Sequence, residues 1–100
     1  MREPEGLNRQ PPEDAAQAFA LSALAYLLDD PARTNRFLTV TGMDGESLPA
    51  RLADPAFLGC VLDFVLEDEV LLLDVAETAG VPADRIGRLR MRLPGALPQG

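Results

Sequence analysis

The sequence predicts an all-α fold, a compact orthogonal bundle of five or six short helices. Three observations predict it. No segment alternates apolar and polar residues as a half-buried strand would. Apolar residues instead recur at helical spacings, as in Ile86, Leu89 and Leu93. Helix punctuation is the third: Asp-Pro dipeptides stand before apolar segments and glycines stand after them. A chain of 100 residues makes one domain with room for one core. We expect that domain over residues 13–93, with the Pro- and Gly-rich stretches 1–12 and 94–100 as flexible tails.

The first helix is expected from about Glu13 or Asp14, where acids suit a helix N-terminus, to about Asp29. Ala18 to Leu28 is apolar except for Ser22, too short for a membrane span and suited to the centre of a bundle. Asp30-Pro31 and Asp54-Pro55 should each open a helix, because Asp accepts bonds from the first free amides and Pro has no amide to satisfy. Gly42 before Met43, and Gly80 before Val81, have the form of left-handed caps whose next residue folds back on the last turn. The second helix should therefore end near Thr41 and the helical stretch after Pro55 near Ala79. A short helix is expected from about Ser47, since Pro49 suits only a first turn. A last helix is expected from about Pro82 to Leu93.

Composition narrows the chemistry. Histidine, lysine and tryptophan are absent, which removes the commonest general base and the commonest metal ligand. A single cysteine, Cys60, forms no internal disulfide and is expected to be a buried thiol in a reducing cytoplasm. The N-terminal stretch lacks the apolar run of a secretory signal. The net charge of −7 is uneven: residues 54–79 hold seven acids and no Arg, whereas residues 80–100 hold four Arg and one Asp. So acidic a middle argues against binding to nucleic acid and gives anionic lipid nothing to attract.

The stretch Val61 to Gly80 poses a sharper question. Advancing about 100° per residue, Phe57, Leu58, Val61, Phe64, Val65, Leu72, Val75, Ala76 and Ala79 share one broad face. Asp68 falls near the middle of that face and Glu69 at its edge. Asp63, Glu67, Asp74 and Glu77 gather opposite. An unpaired carboxylate facing a core costs several kcal/mol, so Asp68 needs a partner. Either a helix ends near Glu67 and Asp68 caps the next, taking the amides of Val70 or Leu71, or one long helix pairs Asp68 or Glu69 with Arg33, Arg36 or Arg51. A catalytic or metal-binding role for Asp63, Glu67, Asp68 or Glu69 is the third reading, but adjacent acids on one helix diverge and no histidine can complete a site.

Arg85, Arg88 and Arg92 share a face of the last helix, with Arg90 apart, and complement the acidic ridge in sign. Solvated faces are the ordinary outcome for both ridges. The alternative is that Asp63, Glu67, Asp74, Glu77 and those three Arg residues form an interaction surface.

The cues "RFLTVTG", "DPAFL" and "VLDF" followed by "DE" and leucines resemble an uncharacterised bacterial family, domain of unknown function thirty-five seventy-two. The resemblance runs from about Ala18 to Leu93. It implies small single-domain helical proteins of mostly alphaproteobacterial type and carries no activity, cofactor or catalytic residue. The expectation is a cytoplasmic protein–protein interaction module, self-associating or bound to another protein, with no cofactor, no metal and no membrane. The alternatives are a small carboxylate- or metal-dependent enzyme and a nucleic-acid accessory protein using the Arg-rich last helix.

Overall fold

The computed structural model describes residues 12–95. The expected tails lie, but for Pro12, Pro94 and Gly95, outside the described residues. Six helices follow one another: α1 (Pro12–Leu28), α2 (Pro31–Thr41), α3 (Leu48–Arg51, entered through a 3-10 turn at Gly45–Ser47), α4 (Pro55–Leu66), α5 (Glu69–Ala79) and α6 (Ala83–Arg90). Among the described residues there is no strand.

The punctuation does what its chemistry dictates. Asp30 accepts a bond from the Arg33 amide at 3.0 Å and Asp54 one from Ala56 at 3.0 Å, each from extended backbone one residue before a Pro. Gly42 and Gly80 both sit at φ 73°, where a side chain would be strained. Past them the amide of Met43 donates to the Leu38 carbonyl at 3.1 Å and that of Val81 to Ala76 at 3.0 Å. Both apolar residues then pack against the core. α1 ends without a glycine. Its terminal carbonyls at Tyr26 and Leu27 accept instead from α2, through Arg33 Nε at 3.2 Å and Thr34 Oγ1 at 3.0 Å.

α1 and α4 pack against each other at the centre, and α5 and α6 pack on both. Leu27, Phe37, Val61, Leu62, Val65 and Ile86 are wholly buried, each contributing on the order of 1.5–3 kcal/mol of apolar burial. α2 rests on α1 and reaches α4 through Phe37, whose ring meets Phe57 and Phe64 edge-on at 6.3 and 5.2 Å. Aromatic rings thus close the base of the space between α2 and α4, and its mouth stays open.

Three expectations are corrected. The helix phase does not run through Val61 to Gly80, because α4 stops at Leu66 and α5 starts at Glu69. Leu71, off the continuous face, is therefore buried, and Ala79 on it is exposed; Leu62, before the break, is buried because the apolar face of α4 is broader than that wheel drew it. α6 ends at Arg90 rather than Leu93. Pro94 disfavours helical backbone at Leu93, which still turns its side chain into the core. Cys60 is exposed, not buried. Its neighbours Gly59, Val61 and Leu62 take the inward positions of that turn of α4.

Candidate interaction surface

Asp68 is the cap that the first reading expects and also holds the Arg36 partner of the second, whose single long helix the break after Leu66 rules out. Its backbone is extended between α4 and α5, and Oδ1 accepts the amides of Val70 at 3.1 Å and Leu71 at 3.2 Å. The other oxygen, Oδ2, lies 3.1 Å from Nη1 of Arg36 on α2. The carboxylate is therefore a cap and one half of an ion pair. Glu69 is the exposed first residue of α5, where a negative charge suits the helix dipole.

Asp63 holds the partner that the sequence did not name. Arg90 Nε donates to its Oδ1 at 2.6 Å and Nη2 to its Oδ2 at 3.1 Å. Nη1 of the same guanidinium donates to the carbonyls of Leu93 at 3.1 Å and Pro94 at 3.2 Å. Arg90 is only 6% exposed, and all three of its nitrogens are used. The planar group lies against Gly59, where a Cβ would come within 2.9 Å of Arg90 Cζ. The signal was present: Arg90 stands four residues after Ile86 and one after Leu89, on the apolar stripe itself. A charge on that stripe, with a glycine inside an apolar helix, marks a buried guanidinium and the gap that admits it.

The remaining acids do not form one ridge. Glu67 adjoins Asp63 beside Val40, Cys60 and Phe64, whereas Asp74 lies beyond Phe64 with Arg33, Arg36 and Val70. Glu77 is exposed farther along α5. Arg85 and Arg88 are exposed on α6, and Arg92 is exposed in the turn after it. None of these three Arg forms an ion pair among the described residues.

What the fold does bring together is a groove along the seam of α2 and α4. One recess lies between the Thr41–Ser47 turn and the start of α4, a second beside Val40 and Glu67, and a third between α2 and α5. Thr41 and Cys60 line both the first and second, and Phe64 both the second and third, so the three follow one another along the seam. Val40 and Val70 stand at its edges, 64% and 71% exposed. At the third recess Arg33 is stacked 4.0 Å over the Tyr26 ring. Val40 carries no signal in the sequence, since one valine on a mixed helix is unremarkable until the fold sets it beside Cys60 and Phe64. Among the described residues, no three His, Cys, Asp or Glu side chains are grouped to hold a metal ion, and no helix is long and apolar enough to cross a membrane.

The family described as "Protein of unknown function (DUF3572)" matches residues 13–96. No curated protein and no solved structure matches the chain.

Proposed function

The chain belongs to the DUF3572 family, and from that premise, which brings no activity with it, we propose that it is a protein–protein interaction module of the cytoplasm. One observation carries this reading: the α2–α4 groove keeps Val40, Cys60 and the edge of Phe64 open to solvent beside the carboxylates of Asp63 and Glu67. An apolar floor with a charged rim is the anatomy of a surface that buries its centre against a partner and uses its rim for register. Two of the four carboxylates that could otherwise serve chemistry are occupied, Asp63 by Arg90 and Asp68 by two amides and Arg36, and the other two, Glu67 and Glu69, are exposed. An exposed thiol in a chain with one cysteine fits a reducing compartment.

Affinity capture from an extract of the native organism tests the proposal. The wild-type chain should retain a discrete protein that Val40→Asp loses, while the two chains keep the same helical circular dichroism. Retention of nothing above the bare matrix, or equal retention by both, overturns it. Asp68→Asn serves as the control for an enzymatic role, because Asn caps nearly as well as Asp and leaves such a module functional.

A further inference from the structure

We infer that the groove's occupant is a second copy of this chain, which inserts the basic end of its own α6, so that two copies pair reciprocally. The inference rests on the interaction-module reading and names the partner.

The groove selects for charge. Its central recess is flanked by Asp63 on α4 and by Glu67, the residue that caps α4, with no cation in its lining; the groove's Arg side chains, Arg51 at one end and Arg33 and Arg36 at the other, line the outer recesses. Asp63 is already neutralised by Arg90, so Glu67 is the carboxylate left to meet an incoming group. An occupant needs a cation for Glu67 and an apolar side chain for the Val40, Cys60 and Phe64 floor. The basic end of α6 offers both: Arg88 and Arg92 are exposed, and Met91 between them is 58% exposed. Methionine is flexible enough to fill a shallow, irregular floor.

The geometry favours closure over an open chain of molecules. Asp63 lines the groove and also grips Arg90, so the basic end of α6 is moored beside the groove and not on the far side of the protein. A groove and its complement that adjoin on one molecule can both be satisfied about a single two-fold axis near Asp63. That is an isologous dimer, the commonest closed assembly. The cations of one copy then face Glu67 of the other, twice.

Sedimentation equilibrium on the full chain, from about 5 to about 500 μM protein at about 20 mM salt, reads the outcome directly. The expected result is a monomer–dimer equilibrium that weakens at least roughly tenfold when salt is raised to about 500 mM, because rim charges are screened. Glu67→Arg and Arg88→Glu, both at exposed positions, should each weaken the dimer about tenfold. Mixing the two variants should restore it, since in the mixed dimer the introduced arginine faces the introduced glutamate and the native Arg88 of one chain faces the native Glu67 of the other. A monomer at every concentration overturns the inference, as does a dimer indifferent to either reversal or not rescued by mixing. The interaction-module reading survives each of these results if extract capture still depends on Val40, and it fails separately if capture does not.

Discussion

The guanidinium of Arg90 packs against Gly59, so close that a Cβ there would be 2.9 Å from both Cζ and Nη1 of Arg90 and 3.0 Å from the Pro94 carbonyl oxygen. The ion pair, the C-terminal turn and the central helix meet at that one missing methyl group. Gly59→Ala should therefore destabilise the fold, although alanine is the better helix former. We expect a loss of about 1–3 kcal/mol, the range for overpacking a filled site. Gly87→Ala is the counterpart on α6, where nothing lies within 4 Å of the added carbon. It should stabilise by about 0.5–1 kcal/mol through helix propensity alone. Urea midpoints of the two variants should move in opposite directions, and a stabilised Gly59→Ala would disprove the close approach.

The pair itself gives a second expectation. Asp63 is 54% exposed on its side chain and Arg90 7%, so the two partners are not equivalent. Removing Asp63 leaves a buried guanidinium held only by two carbonyls. Removing Arg90 leaves a carboxylate that can turn to water, but it also frees the Leu93 and Pro94 carbonyls and opens the space over Gly59. With the contribution discounted for solvent screening at Asp63, Asp63→Ala should cost about 1–2 kcal/mol. Arg90→Ala should cost more and should make the peptide bonds after residue 90 the first cut in limited proteolysis. Equal proteolytic resistance in Arg90→Ala and wild type would show that the guanidinium does not moor that turn.

The contrast between what the sequence reveals and what it hides runs along contact range. Asp54-Pro55, Gly42-Met43 and Gly80-Val81 settle their helix ends within a few residues, so the six-helix plan is readable from local chemistry. Even the break at Glu67 is readable, because no core position tolerates the Asp68 carboxylate without its amides. Arg90 and Asp63 are 27 residues apart, and their pairing depends on how α6 crosses α4. No periodicity carries that crossing. The acidic ridge fails for a related reason: a helical wheel drawn through Asp68 assumes a phase that the break at that residue resets.

Asp68 offers a third test, because its two roles separate by substitution. Asp68→Asn keeps an oxygen for the Val70 and Leu71 amides and loses most of the attraction to Arg36. Asp68→Ala loses both. Arg36 is 63% exposed on its side chain, so its pairing should contribute less than about 0.5 kcal/mol. The cap should contribute about 1 kcal/mol. Denaturation should then rank Asp68→Ala well below Asp68→Asn, with Arg36→Ala close to the latter. If Asp68→Asn proved as damaging as Asp68→Ala, the ion pair and not the cap would hold the α4–α5 junction.

Cys60 provides the most direct probe of the groove. An almost wholly apolar α4 predicts a buried thiol, yet Gly59 beneath Arg90 and the buried Val61 and Leu62 occupy the core side of that turn. The thiol is left facing the seam, where it lines two of the three recesses. A water-soluble thiol reagent should therefore titrate one equivalent in the native protein with no denaturant present. Cys60→Ser should change stability by less than about 0.5 kcal/mol, as exposed substitutions ordinarily do. A thiol silent until urea is added would mean that α2 closes over α4 and that the groove is not open. If the groove is instead filled by a second copy, the same titration should slow as protein concentration rises and recover in high salt. A labelling rate independent of both would leave the groove open and empty.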